Sequence, residues 1–455
     1  MREIVLHDTL TGRLQPLRAR DGRRVGIYAC GPTVYARIHV GNARPFVLFS
    51  LLKRFLEHEG YEVDLVVNIT DINDKIYAAA SAAARPSGEL AAEMAAHYRA
   101  DTDALGLGRP DHEPLASETI EAIVAYIEQL LCGGHAYEVD GDVYFRVRSD
   151  ARYGILSHRH VGDMDQGEGI EGAERKQDPL DFALWKAQKP DEDTSWDSPW
   201  GRGRPGWHIE CSAMAEQLLG TGFEIHGGGS DLLFPHHENE ASQTRCARGE
   251  ELAKLWMHNG MVQLTGAKMA KSAGNIALLH EVLSQFGPHA LIMYFLSGHY
   301  RQPRAFSEGE LEEAQRRLER IREALRRLER NAPSPPEMAP HRDAFFDALA
   351  NDFNTPAALA AMDAWISEAN RRGAGVGDAH LREMLSVLGL ADLESRHAGG
   401  AAAIDPAARA LLERRERARA ERDFQTADRL RDQLRTLGWE LRDGPDGPEL
   451  LALRA

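Results

Sequence analysis

Two periods of apolar residues alternate along the first third of the chain. Val25–Ala29 is a short apolar run stopped by Cys30-Gly31-Pro32, which predicts a buried strand. From Ala43 to His58 the apolar residues Phe46, Val47, Leu48, Leu51, Leu52, Phe55 and Leu56 recur at helical spacing. Gly60 closes that helix, and Val63–Ile69 predicts the next strand. Strand, helix and strand of these lengths predict a βαβ unit, hence a parallel sheet that binds ligands at its carboxyl edge.

Residues 117–200 interrupt this pattern with a helix (Ile120–Leu131), a hairpin around Tyr137–Arg146 and a polar tract rich in Gly, Asp and Pro. The alternation resumes with Trp207–Leu219, Phe223–His226 and a long element after Pro235. Beyond Phe306 the period is helical: Leu311, Ala314, Leu318, Ile321, Leu325 and Leu328 form one apolar stripe. Proline-rich Ala332–Pro340 and Ala/Gly-rich Leu393–Asp405 read as linkers. The last residues hold two Arg-rich helices, Ala407–Arg419 and Phe424–Leu437, and a hairpin from Trp439. The fold class is therefore α/β: a Rossmann-like parallel-sheet domain (1–116 and 201–306) with an insertion (117–200), an α-helical bundle (307–392) and a small C-terminal α+β module (406–455).

Composition narrows the picture. The 455 residues, 43% hydrophobic and 27% charged, are those of an ordinary globular protein, and no apolar run approaches a membrane span. Arg2 and Glu3 stand at the start of any signal core, and Cys30, Cys132, Cys211 and Cys246 lie far apart. Both features lead us to expect a cytoplasmic protein with free thiols, not a disulfide framework. A net charge of -16 argues against indiscriminate nucleic-acid binding but admits a local basic stripe. Only eight of the 54 basic residues are lysines, and two of those lie in one short loop.

Three constellations carry chemistry. The first is Cys30-Gly31-Pro32-Thr33-Val34-Tyr35 with His39-Val40-Gly41-Asn42, a loop running into a helix whose N–H groups favour phosphate. His39 and Asn42 add donors, and Gly41 admits a ribose or base close to the backbone. Alone, such a short motif is more often a helix cap. The second is Lys268-Met269-Ala270-Lys271-Ser272, two mobile point charges in a chain whose surface is otherwise built from arginine. The third is a set of metal-ligand types. His236 and Glu240 share one helix face if Pro235 opens the helix, and Cys30 and Cys211 complete a tetrahedral zinc shell. His226, His237, Glu238, Cys132 and Cys246 compete for the same role, and spacing does not reject them.

Taken together, these residues resemble the class I aminoacyl-tRNA synthetases, and among them the cysteinyl-tRNA synthetases. The resemblance runs nearly end to end: Cys30–Tyr35, Asn68-Ile69-Thr70-Asp71, Gly206–Met214, His226–Glu240 and the lysine loop. It implies that His39–Asn42 is the "HIGH" signature, with Asn42 for its second histidine, and Lys268–Ser272 the "KMSKS" loop, with Ala270 for its middle serine. It further implies His39, Asn42, Lys268 and Lys271 as catalytic groups on ATP, with Gly41, Gly229 and Asp231 also at the nucleotide. Thr70 and Trp207 would shape the amino-acid pocket, and one Zn2+ would be held by Cys30, Cys211, His236 and Glu240.

The activity implied is attack of the L-cysteine carboxylate on the α-phosphorus of ATP, supplied with Mg2+, and transfer of cysteine from the adenylate to the terminal adenosine of tRNA-Cys. Zinc would reward a thiol of ordinary pKa about 8.5 over a serine hydroxyl, where an apolar pocket separates near-isosteres by only about 1–3 kcal/mol. The expected protein is a monomer without membrane partners. The alternative is the cysteine ligase of mycothiol biosynthesis, which makes the same adenylate but needs no RNA-binding tail. The Arg-rich tail (Arg414, Arg415, Arg417, Arg419, Arg422, Arg429, Arg431, Arg435) supplies phosphate-contact candidates, although Glu413, Glu416, Glu421, Asp423, Asp428 and Asp432 interleave with them.

Overall fold

The computed structural model describes residues 2–164, 173–264, 277–394, 406–420, 423–437, 439–444 and 447–452. Its central sheet has four parallel strands in the order Ala253–Asn259, Phe223–Gly229, Arg24–Ala29, Glu62–Val67. The helix Val40–His58 crosses from the third of these to the fourth, as the apolar period predicts. Its inward face buries Phe46, Val47, Phe49, Leu52, Phe55 and Leu56. The helix Glu238–Arg248 makes the crossover from Phe223–Gly229 to Ala253–Asn259. The chain therefore winds in opposite senses from the two central strands. Their carboxyl ends, at Ala29 and Gly229, flank the topological switch point where a doubly wound sheet opens a crevice.

The helical backbone runs on from Pro235, as its sequence suggests. Phe234 is extended (φ -139°, ψ 131°), a single wide turn covers Leu233–His237, and regular α-helix starts at Glu238. A residue before proline is sterically driven out of the helical region, so the helical dihedrals begin at Pro235 itself.

The insertion contains the helix Ile120–Cys132 and an antiparallel sheet of Ala136–Val139, Asp142–Phe145, Phe182–Ala187 and Gly203–Pro205. That last strand lies just past the boundary read at Trp200. Ile123, Tyr126, Phe145, Phe182 and Trp185 pack in one cluster with Ile209 and Ala213 of the helix Trp207–Leu219, so the insertion shares a wall with the crevice.

The helices Glu308–Arg327, Ala339–Ala350, Thr355–Arg372 and Ala379–Val387 form the bundle. Leu311, Ala314, Leu318, Ile321 and Leu325 of the predicted stripe are buried in the same cluster as Phe46 and Phe55, so sheet and bundle share a core. The C-terminal helices Pro406–Ala420 and Phe424–Thr436 pack with the hairpin Trp439–Gly444/Gly447–Ala452 around Ala408, Leu434, Trp439 and Leu441. Among the described residues, no helix is long and apolar enough to cross a membrane.

Candidate active site and metal centre

Cys30 follows the strand Arg24–Ala29, and its N–H donates to the Gly227 carbonyl at 3.0 Å. Nothing larger than Gly227 fits in the neighbouring strand: a Cβ on it would lie 2.0 Å from Phe49 Cζ. Gly31 is as constrained, since its Cβ would fall 1.7 Å from the Asn68 carbonyl oxygen. Its N–H donates to Asn68 Oδ1 (2.9 Å), and Asn68 Nδ2 donates to the Thr70 hydroxyl (3.2 Å). Thr70 is thereby fixed, buried, beside the start of the crevice.

Into this edge the helices Trp207–Leu219 and Glu238–Arg248 bring their side chains. Cys30, Cys211, His236 and Glu240 are all buried, with ligand atoms within 4.8 Å of one another. The thiols stand 3.9 Å apart, Cys30 Sγ is 3.6 Å from Glu240 Oε1, and His236 Nε2 is 3.0 Å from the same oxygen. A second, overlapping group joins Cys30 and Glu240 to His226 and His237. The remaining competitors lie elsewhere. Cys132 is exposed, Cys246 packs against the insertion's cluster, and Glu238 accepts the Ser157 N–H at 2.7 Å.

The electrostatics of the group suit a cation. Burial, reinforced by the contact with Cys211, pushes the Cys30 thiol well up. Hydrogen bonding with Cys30 pulls Cys211 down, but burial and the carboxylates of Glu240 and Glu210 outweigh it and raise that thiol too. Burial, with His208 and His226 nearby, drives His236 well below its ordinary value, so it is a neutral imidazole, the form that ligates. Two thiols, a neutral imidazole and a carboxylate in a dry pocket make a soft donor set, and a divalent ion there would favour the thiolates that burial alone disfavours.

Further contacts aim these ligands. His208 Nδ1 meets His236 Nδ1 at 2.9 Å, leaving His236 Nε2 toward Glu240. Half-buried Trp207 stacks on the His236 ring at 4.2 Å. Glu210, on the same helix, is fully buried, with Thr70 and Asp71 beside its carboxyl group. Burial and the nearby Asp71 push its pKa well up.

His39 caps the helix Val40–His58 in a reciprocal box: its Nδ1 accepts from the Asn42 N–H (3.3 Å), and its own N–H donates to Asn42 Oδ1 (3.2 Å). The Val40 N–H donates to the Ala277 carbonyl at 3.0 Å, so these first-turn donors are engaged within the protein. Gly41 makes room for the cap, since a Cβ there would lie 2.9 Å from His39 Cε1. Lys268 and Lys271 lie outside the described residues, but both stems of their loop are placed. Val262 stands 3.8 Å from the Cβ position of Gly41, and on the other side Leu278 bridges His39. The His39 segment and the stems of the lysine loop thus start from adjoining backbone. Gly229 ends the neighbouring strand and exposed Asp231 follows it, so that a Cβ on Gly229 would meet the Asp231 carboxylate.

The family model described as "tRNA synthetases class I (C) catalytic domain" matches residues 16–316, and that described as "Cysteinyl-tRNA ligase anticodon binding domain" matches residues 401–448. A cysteine–tRNA ligase of Pseudothermotoga lettingae is 44% identical, with 97% of each chain covered. Another, of Alkalilimnicola ehrlichii, is 47% identical, covering 97% of this chain and 98% of its own. The chain belongs to the cysteine–tRNA ligase family.

Solved structures agree with this family's class I fold. Methionyl-tRNA synthetase of Mycobacterium tuberculosis with methionyl-adenylate superposes with a TM-score of 0.57 at 16% identity, covering 81% of this chain and 88% of its own. The Agrobacterium radiobacter leucyl enzyme of a ternary complex gives 0.60 at 12%, covering 83% and 84%. In the anticodon-binding module of the cysteine–tRNA ligase family, the arginines of this chain divide. Arg414, Arg417, Arg419, Arg429, Arg431 and Arg435 are exposed, and Arg422 lies outside the described residues. Arg415, read from sequence as a phosphate-contact candidate, is buried and paired with Glu416 at 2.6 Å. Its position on the inner helix face removes it from that set.

Proposed function

We propose that this chain activates L-cysteine with ATP and passes it to tRNA-Cys, and that the buried quartet Cys30, Cys211, His236 and Glu240 selects the amino acid. The observation that carries this reading is the placement of that quartet. It lies under Trp207, with Thr70 tied through Asn68 to Gly31 next to Cys30, at the sheet edge from which the loop to His39 departs. Zn2+ held by these four residues would supply a soft Lewis acid toward which a thiol ionises readily and a hydroxyl poorly.

The chain's own groups do the rest. Thr70 and Trp207 wall the pocket and orient the amino acid with its carboxylate toward the nucleotide. That carboxylate attacks the α-phosphorus of Mg2+-bound ATP, the bond to the β-phosphate oxygen breaks, and pyrophosphate leaves. His39 and Asn42, with Lys268 and Lys271 of the loop, stabilise charge on the phosphates; Gly41, Gly229 and Asp231 line the nucleotide site. A hydroxyl of the terminal adenosine then attacks the carbonyl carbon and AMP departs. In this reading 1–116 with 201–306 form the catalytic domain, and 117–200 the connective insertion. Residues 307–392 and 406–455 carry the anticodon side, in a cytoplasmic enzyme working as a monomer.

The match of residues 401–448 to an anticodon-binding domain favours tRNA over an amino sugar as acceptor. Pyrophosphate exchange that requires cysteine tests the first step, and charging of tRNA-Cys the second. A folded, metal-loaded protein without exchange would sink the reading, and exchange without charging would point to the amino-sugar ligase.

A further inference from the structure

Arg44 lies in the second turn of the helix that His39 caps, on its buried side. Its guanidinium is surrounded by backbone carbonyls. Nη1 donates to Gly260 (2.6 Å) and Met261 (3.3 Å), and Nη2 to Gln302 (2.8 Å), Tyr300 (3.0 Å) and His299 (3.4 Å). Burial pulls its pKa down to about 10, so the group stays charged at neutral pH. A buried charge is retained where fixed dipoles replace its water, and five carbonyls on one planar fork do so.

Those carbonyls sit at a junction of the nucleotide-facing segments. Gly260 follows the outer strand, whose last residue, Asn259, accepts the Ser230 N–H at 2.8 Å, next to Gly229 and Asp231. Met261 precedes Val262–Leu264, the stem that leads into the lysine loop and pairs with Arg304–Phe306. The crossing is tight: Gly260 donates to the Tyr300 carbonyl at 2.8 Å, and a Cβ on it would meet the Gln302 backbone at 2.3 Å. The returning stem is tied to the same helix start, through Val40 N–H to Ala277 O and Leu279 N–H to Ile38 O, both 3.0 Å. One stem is therefore set by the His39 segment directly and the other through Arg44.

We infer that Arg44 is a positioning residue for adenylate formation, whose fork fixes the outgoing stem of the lysine loop against the helix of His39. The inference rests on the ATP reading above. None of the Arg44 contacts reaches the metal quartet or Thr70, so its loss acts on phosphate chemistry and not on cysteine capture. Lysine keeps the charge but cannot span both carbonyl groups with a planar fork.

The test is Arg44→Lys in the full chain, with thermal melting, metal content, and KM and kcat in cysteine-dependent pyrophosphate exchange. The expected result is a kcat lower by about 100-fold, the usual effect of a misplacement near 1 Å, with metal content and the KM for cysteine unchanged. Arg44→Ala should be slower still and recover in part with millimolar guanidinium. Gly260→Ala, which keeps the cation but pushes on Gln302, should show the same kcat-only loss and serves where the Arg44 variants do not fold. Variants that turn over as fast as the parent overturn the inference. So do variants that lose metal or cysteine affinity along with kcat, since that marks a general structural defect. Absence of exchange in the parent overturns the ATP reading itself, a separate failure.

Discussion

The rings of His208 and His236 face each other Nδ1 to Nδ1 at 2.9 Å, and this contact decides which His236 nitrogen is presented to the metal quartet. One ring must donate and the other accept, so His236 enters the site with a fixed orientation and with Nε2 toward Glu240. Such partners of a ligating histidine are worth about 10–100-fold in metal affinity. His208→Ala should weaken zinc binding by that factor in a chelator competition, with Cys30 and Cys211 still alkylated only slowly in the loaded protein. Unchanged affinity would remove His208 from the site's support.

Gly41 stands directly beneath the His39 ring. In Gly41→Ala the new methyl, 2.9 Å from His39 Cε1, must displace the imidazole or unwind the first turn. The His39–Asn42 box is broken in either case. We expect pyrophosphate exchange to fall by about 10–100-fold in kcat, since catalytic positioning is lost, with the KM for cysteine and the zinc content unchanged. A fully active Gly41→Ala would show that the His39 cap has no part in turnover.

The contact between the insertion and the helix Asp74–Ala82 should be acid-labile. Asp74 pairs with Arg204 and, at 2.9 Å, with Lys186, both on strands of the insertion's sheet. Burial alone would raise its pKa, but the two cations outweigh this and bring it to about 2. A depressed carboxyl stabilises the fold above its unfolded value near 4, and the contribution disappears as pH falls from there through about 2. Asp74→Asn should therefore lower the melting temperature at pH 7 and leave it nearly unchanged at pH 2. An equal loss at both pH values would mean that the contact does not depend on charge.

Much of this was legible in the chain because the fold repeats simple periods. Val25–Ala29, the helix from Ala43 and the stripe from Leu311 follow directly from apolar spacing, and each is buried as that spacing implies. The proposed metal ligands were legible by type but not by spacing. Their elements meet only when the parallel sheet sets Cys30 beside Gly227 and two crossing helices deliver Cys211, His236 and Glu240. Pro235 was legible as a helix start, and its steric effect acts backwards on Phe234, which is extended. Arg44 gave no signal, and Arg415 gave that of a solvent-facing phosphate contact. An arginine in a mixed helix reads as solvent-facing, and the carbonyls that hold Arg44 come from Gly260–Gln302, far along the chain. Glu210 and His208 were invisible for the same reason, since their surroundings are made by tertiary contact.

The central claim is that the buried quartet holds the metal that chooses cysteine. Its most direct test is the zinc content of Cys211→Ser, read together with pyrophosphate exchange on cysteine and on serine. The account predicts about one zinc per parent chain, a strong preference of the parent for cysteine, and loss of both zinc and preference in the variant. A folded Cys211→Ser that keeps its full zinc and still rejects serine as the parent does would contradict it.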